Sequence, residues 1–441
     1  MHPEGVKWVV DLLSRLIQVD TTNPPGNETP AAKLVGEELE GRGLEYRLLE
    51  SAPNRGSVVA WADSGEPGPS LLLLSHLDVV PANPEEWSVD PFSGAVKDGF
   101  VWGRGALDDK LSVAVMLRVF LDFAESKRFR GRLIYAATAD EEMGGRAGAG
   151  WLVERHPELV RADYVINEGG GFEIPARRSV FLVQTAEKGV YWFKLRFRGA
   201  PGHASMPRSG DNALLKAAEA ARRLARQPPV DLRPAVRLML ERVLEAQGVP
   251  ALARRLLTSR PLAGLVPRFS GDAAAMVDAM VRNTLAPTVV RGGEKVNVIP
   301  SLCELSVDCR LLPGYGEDWV RGYVSSALAG LSYEMEFIHR DPATESPVGT
   351  PLYRAIEAAV RAEVPGALVA PYMSTGGTDS RFFRVAFGSA AYGFVPVRAD
   401  LPLREMLKMV HGVDERVSIR NVEFCYRTLT RVLEAFYAGL G

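Results

Sequence analysis

The sequence predicts an α/β protein whose main domain is interrupted by a second, α+β domain. Three observations predict it. The chain has 441 residues, too many for one compact core of usual size. Helical and strand-like segments alternate in the first and last parts of the chain, the pattern of an α/β domain. Near residue 187 the pattern shifts, and VYWFKLRFR at 190–198 alternates apolar and basic residues, the period-two signature of a half-exposed strand.

The elements follow in order. Trp8, Leu12, Leu13, Leu16 and Ile17 fall at helical spacing and define a helix over 5–18. The loop TTNPPGNE at 21–28 leads into a helix over 29–43. Strand-like segments come at 45–50, 57–62 and 70–76. Val113, Val115, Met116, Leu117, Phe120 and Phe123 mark a long helix over 109–126. Apolar strands at 132–138 and 163–167 run into DEEMGG and NEGGG. After the strand at 190–198 comes a helix near 211–226, then a helix-rich stretch at 227–285 bracketed by Pro228-Pro229 and Pro287. Strand-like segments at 286–291 and 302–311, a helix over 317–330 and a strand over 332–338 close the middle part. Past DPATESPVGTP at 341–351 the α/β pattern resumes. The main domain is therefore expected over 1–186 and 339–441, with 187–338 inserted into it and 227–285 as a helical insertion within that.

Composition excludes several functions. Apolar residues make up 46% and charged residues 24%, the balance of an ordinary globular protein. A net charge of −2, from 52 basic and 54 acidic residues, argues against a nucleic-acid partner. The charges are interspersed, so there is no polybasic patch for a membrane surface. Cys303, Cys309 and Cys425 are odd in number and lack CxxC spacing, which fits reduced thiols in a reducing compartment. Asp11 and Arg15 interrupt the apolar run at 8–17, so it does not read as an export signal. The most apolar stretch, LLLLSHLDVV at 71–80, is too short to span a bilayer. A cytoplasmic protein without membrane contact is expected.

Five short clusters set polar residues just after apolar runs, where open α/β sheets build their sites. In His76-Leu77-Asp78, residues two apart on an extended strand share a side, so Asp78 can orient the His76 ring for metal binding. Asp108, in GRGALDDK at 103–110, sits at the expected N-cap of the following helix, and taken alone it reads as a plain cap. In Asp140-Glu141-Glu142, adjacent carboxylates beside a divalent cation acquire distinct roles, one binding metal and the other taking a proton. Glu168, in NEGGG, and His411, in HGVDE, are each weak signals alone, a turn residue and a structural histidine. Imidazole and carboxylate ligands without cysteine suit zinc in a catalytic site.

The order H-x-D, G-x-G-x-x-D-x-K, D-E-E, N-E-G-G and a distal His resembles the co-catalytic zinc peptidase family that includes aminoacylase-1, succinyl-diaminopimelate desuccinylase, acetylornithine deacetylase and glutamate carboxypeptidase. The resemblance spans nearly the whole chain, with TTNPPGNE, GHASMP, KVNVIP, DCRLLPG and STGGTDSR included. It implies a phosphorylase/hydrolase-like catalytic domain with a mixed sheet between helices, and a ferredoxin-like inserted domain acting as lid and dimerisation unit. It implies two divalent ions, zinc with cobalt or manganese as alternatives. His76, Asp108 and Glu168 would hold one ion, and Asp108, Glu142 and His411 the other. It also implies a cis peptide between Asp108 and Asp109. Glu141 would be the general base, Asp78 the orienter of His76, and His203 the group that meets the oxyanion, often across a homodimer interface. Arg310 would hold a substrate carboxylate, with Asn297, Gly376 and Gly377 lining the substrate site. The expected function is hydrolysis of an amide or peptide bond in a small carboxylate-bearing substrate, an N-acyl amino acid or short peptide. A dipeptidase or aminopeptidase of the same family is the alternative among enzymes. A catalytically inactive metal- or ligand-binding protein on the same fold is the alternative of another class.

Overall fold

Leu71, Leu72, Leu73 and Leu74 are all fully buried, and that two-sided burial marks the centre of the fold. They belong to strand Ser70–His76, which runs parallel to Arg132–Thr138 on one side and to Tyr164–Asn167 on the other. The computed structural model describes residues 3–439 except 260, 261, 263, 402–404, 406 and 407, so three positions of the 227–285 stretch lie outside the described residues. Gly56–Asp63 and Tyr46–Glu50 extend the sheet antiparallel beyond Arg132–Thr138. On the other side come Ala390–Gly393, Val180–Glu187 and Thr344–Glu345, with Leu368–Ser374 parallel and Glu173–Ile174 antiparallel to Val180–Glu187, giving a mixed sheet of ten strands.

Alternate residues of the central strands feed two cores. Leu71, Leu73, Leu133 and Tyr135 pack with helices Pro3–Gln18, Thr29–Glu40, Lys110–Ser126, Pro351–Glu363 and Ile419–Ala438. Leu72, Leu74, Ile134 and Ala136 pack on the opposite face with Leu152, Val160 and Phe383 of shorter helices. The sheet thus lies between helices. The C-terminal ends of its three neighbouring parallel strands deliver His76, the turn at 139–142, and Asn167-Glu168 to one edge.

A second sheet is wholly antiparallel, with Thr284–Gly292, Leu302–Leu311, Gly189–Arg198 and Glu334–Asp341 in that order. The predicted alternation is realised in it. Tyr191, Phe193, Leu195 and Phe197 turn inward against helices Ala213–Leu224 and Glu317–Ala327, while Trp192 faces out at 40% exposure. The chain passes directly from Val180–Glu187 into Gly189–Arg198. At the junction the buried Lys188 gives its three protons to the carbonyls of Ala279 and Arg282 and to Thr284 Oγ1.

Two details differ from the sequence reading. Helix Pro234–Ala246, from the helix-rich stretch, packs Val236, Met239 and Leu240 against Val180, Leu182, Leu368 and Ala370 of the large sheet, not against the four-stranded one. Asp108 is not the cap of the long helix. Asp109 stands at that boundary, makes no side-chain cap bond, and turns its carboxylate to the His76 backbone N–H at 3.1 Å. That releases Asp108 to face the sheet edge. No helix among the described residues is long and apolar enough to cross a membrane.

Candidate metal centre

Asp108 lies between two histidines. Its Oδ1 is 3.1 Å from Nε2 of His76, and its Oδ2 is 3.1 Å from Nε2 of His411. His411 Nε2 is also 3.2 Å from Glu142 Oε2. The ligand atoms of His76, Asp108 and Glu142 fall within 4.8 Å of one another, a set fit for a metal ion. The His76 ring is preset. His76, 2% exposed, hydrogen-bonds the Asp78 carbonyl through Nδ1 at 3.0 Å, which leaves the Nε2 lone pair for a cation. His411 adopts a left-handed φ of 58°.

The Asp78 carboxylate does more than orient His76. Its Oδ1 stands 3.5 Å from His76 Nδ1, while its two oxygens accept the backbone N–H groups of Glu141 at 3.0 Å and Glu142 at 3.1 Å, and Asn23 Nδ2 at 2.8 Å. The expected side-chain bond to the ring is therefore the longer contact. The shorter one to the ring comes from the Asp78 backbone.

The turn that carries the paired glutamates is fixed from behind. Asp140, at φ 73°, accepts Ala147 N–H through Oδ2 and the Arg55 guanidinium through Oδ1, at 2.8 and 2.7 Å. Arg55 also pairs with Glu28 at 2.8 Å, and Glu28 comes from the end of TTNPPGNE. The Asp108 loop is held from the far end of the chain. Glu415, fully buried, accepts the backbone N–H groups of Gly105, Leu107 and Asp108 and pairs with Arg104 at 2.7 Å. The Asp108–Asp109 peptide bond is cis. Sequence reasoning gave Glu28, Arg55 and Glu415 no role, although Glu415 closes the HGVDE motif and Glu28 closes the loop motif.

The centre carries a surplus of negative charge. Glu141 has its pKa held well above the ordinary carboxylate value by withdrawal from solvent, which outweighs the opposing His76, with Glu168, Asp379 and Glu142 adding to the rise. Glu168 is raised likewise, by withdrawal from solvent and then by Asp108 and Asp109. His411 is pushed up to about 10 by its hydrogen bonds to Asp108 and Glu142. Glu142 Oε1 is buried without a hydrogen-bond partner among the described residues, and so is Asp379 Oδ1. Carboxylates so crowded, with an orphaned oxygen among them, fit divalent cations, which supply the missing positive charge.

The other expected residues sit elsewhere. Strand pair Gly202–His203 and Val298–Ile299 brings His203 beside the 293–297 loop, where the Asn297 carbonyl accepts the Ala204 N–H at 3.0 Å. His203 is exposed and bonds Ser205 through Nδ1, and it has no hydrogen bond to the carboxylates of the centre. Arg310, on the four-stranded sheet, forms a two-point pair with Asp308 at 2.7 and 3.0 Å. Gly376 and Gly377 lie half-buried in the loop that follows strand Leu368–Ser374, with Gly376 N–H on Ser374 Oγ at 3.1 Å.

Residues 72–435 match the description of peptidase family M20/M25/M40. The chain is similar to the N-fatty-acyl-amino acid synthase/hydrolase PM20D1 of Xenopus tropicalis, 31% identical over 375 residues, which is 82% of this chain and 72% of that protein. It is similar to aminoacylase-1 of Mus musculus, 27% identical over 433 residues, 96% of this chain and 94% of that protein. Its fold matches the M20 family metallo-carboxypeptidase Sso-CP2 of Sulfolobus solfataricus, with a TM-score of 0.70 at 16% identity, covering 99% of this chain and 100% of that one. It also matches a dinuclear metal-binding M20 peptidase of Bacillus subtilis, with a TM-score of 0.65 at 12% identity, covering 99% of each chain.

Proposed function

Because the chain belongs to peptidase family M20/M25/M40 and is a metallohydrolase of amide or peptide bonds, we propose that it cleaves an N-acyl amino acid or short peptide bearing a free carboxylate. The observation that carries this reading is Asp108, one carboxylate whose two oxygens face two histidines from different parts of the chain. In this reading His76, Asp108 and Glu168 hold one divalent ion, and Asp108, Glu142 and His411 the other. Zinc is the first candidate, with cobalt and manganese as alternatives. Such ions polarise a carbonyl and make water a better nucleophile at neutral pH.

The protein's own groups do the rest. Glu141 takes the proton of the attacking water and passes it to the leaving nitrogen. Asp78 sets the His76 ring and the turn of Glu141 and Glu142 together. Arg310, preset as a fork by Asp308, receives the substrate carboxylate. His203 meets the oxyanion, and Asn297, Gly376 and Gly377 line the substrate site. The exposure of His203 supports its delivery by movement of the four-stranded sheet as a lid, or from a second copy in a homodimer. The lid reading keeps 187–338 as the inserted unit, between 1–186 and 339–441. The reading places the protein in the cytoplasm, acting on small substrates, without nucleic-acid or membrane partners.

The test is a product profile. Zinc-, cobalt- and manganese-loaded protein is incubated with a panel of N-acyl amino acids and dipeptides, and released amino acids are separated and counted. Release from carboxylate-bearing substrates and not from their amides is the expected result. No release from any member of the panel would overturn the reading.

A further inference from the structure

Arg310 is flanked on both sides by strands that start at one place. It lies opposite Val190 on Gly189–Arg198 and opposite Thr284 on Thr284–Gly292. The first of these strands follows Lys188 directly in the chain, and the second is tied to it, Lys188 Nζ donating to Thr284 Oγ1 at 3.0 Å. The other two Nζ bonds, each 2.9 Å, go to the carbonyls of Ala279 and Arg282. These lie at and just past the end of helix Ala274–Met280, where helix geometry leaves carbonyls unpaired.

Lys188 is 1% exposed, and its three protons meet three neutral oxygens. A buried ammonium held this way loses heavily when one acceptor is withdrawn, so the arrangement is exacting. It is also fastened to the large sheet. The Lys188 N–H donates to the Ser374 carbonyl at 3.1 Å, and Met280 and Val281 pack with Val180 and Leu182. Asn283 adds a tie next to Arg310, its Oδ1 accepting the Leu312 N–H at 2.7 Å. In the same turn Glu187 accepts the Thr378 N–H and, at 3.0 Å, the Thr378 hydroxyl, beside Gly376 and Gly377.

Arg310 therefore sits at the end of the four-stranded sheet where the chain crosses from the large one. His203 comes off the opposite end, beyond the paired Arg198 and Leu302. A rotation of this sheet about 187–189 carries His203 far and Arg310 little.

We infer that Lys188 is a positioning residue for carboxylate recognition, fixing Arg310 relative to the large sheet and its metal centre. The inference rests on the hydrolase reading above, with Arg310 as the fork for the substrate carboxylate. Lys188 touches no substrate and acts through Thr284 and the start of the Val190 strand.

The experiment measures kcat, KM and bound metal on the N-acyl amino acid most readily cleaved. Metal-loaded wild type, Lys188→Met, Thr284→Val and Thr284→Ser are compared, each with and without Arg310→Ala and each checked by its melting curve. Lys188→Met should raise KM by roughly tenfold, where a 1 Å misplacement can cost about 100-fold, with kcat within about twofold and metal content unchanged. Thr284→Val should move KM the same way by less, and Thr284→Ser, which keeps the hydroxyl, should match the wild type. In the Arg310→Ala background Lys188→Met should change KM by less than about twofold, since the group it positions is gone. If Lys188→Met does not fold, Thr284→Val carries the same comparison. An unchanged KM in the folded variants, or an equal rise with and without Arg310, overturns the positioning role and leaves the hydrolase standing. A wild-type KM in Arg310→Ala alone overturns the carboxylate reading and this inference with it. Failure of the wild type to cleave any N-acyl amino acid overturns the hydrolase reading and both.

Discussion

Asp78 Oδ1 accepts the backbone N–H of Glu141 at 3.0 Å, closer than its 3.5 Å to the His76 ring. The residue that orients one candidate ligand therefore also sets the turn of the candidate base. Asp78→Ala should lower metal affinity and kcat together, each by roughly 10–100-fold. Metal titration and kcat at saturating zinc separate the two effects. A full recovery of kcat once metal saturates would show that Asp78 acts through His76 alone.

Glu141 and Glu142 differ in their contacts, since Glu142 alone pairs with His411. Glu141→Gln should retain bound metal and substrate affinity while kcat falls by roughly 10²–10⁴-fold or more. Glu142→Gln should instead weaken metal binding, with activity partly restored by added zinc. Metal content and kcat on one N-acyl amino acid check both. A Glu141→Gln protein that lost metal yet kept its rate after reloading would reverse the assignments.

Arg55 links Glu28 to Asp140 from a position with 14% of its side chain exposed. Arg55→Ala leaves two carboxylates without their partner and should destabilise the protein by about 3–5 kcal/mol. Urea unfolding measures it. A loss below about 1 kcal/mol, the value of a surface pair, would show that the trio does not hold the turn.

Stripped of metal, the protein holds Asp379 at about 6 and Asp109 at about 7 against an ordinary 3.8, in both cases first through burial. A carboxyl raised on folding favours the folded state below its unfolded pKa and loses that contribution as pH rises through the folded value. Chelated protein should therefore lose stability between about pH 4 and 7. Zinc at 100-fold its dissociation constant should restore about 2.7 kcal/mol near neutrality. Equal melting temperatures for chelated protein at pH 5 and 7.5 would contradict the charge surplus.

Arg310→Ala removes the fork that Asp308 presets. KM for N-acyl amino acids should rise by tenfold or more, with metal content unchanged, and the matching amides should show no such rise. A uniform fall in kcat on acids and amides alike would place Arg310 outside carboxylate recognition.

The centre was legible in the sequence where chemistry and strand ends coincide. His76, Glu142 and Glu168 each follow a run of buried apolar residues, so an apolar segment ending in a polar cluster pointed to them. Asp108 was harder to read because a helix start and a metal ligand use the same residue type, and the structure gives the boundary to Asp109. Strand Val180–Glu187 escaped notice because it is buried throughout and so has no alternation to betray it. Glu415 and Arg55 act through backbone groups and partners distant in sequence, and local spacing carries no trace of such contacts. His203 and Arg310 were legible as motifs, but their distance from the carboxylates depends on how the smaller sheet is placed, which no motif encodes.

The grip of Glu415 on the Asp108 loop also orders events during synthesis. Asp108 and Glu415 are 307 residues apart. At roughly 5–20 residues per second, the ribosome makes the first about 15–60 s before the second. Until His411 is made, the growing chain carries Asp108, and then Glu142, without it, and the loop without its anchor. In the ligand assignment proposed above, a cation meeting the emerging carboxylates would find an incomplete set. The complete set would exist only once His411 is in place, so the proposed site would be fully formed only near the end of synthesis.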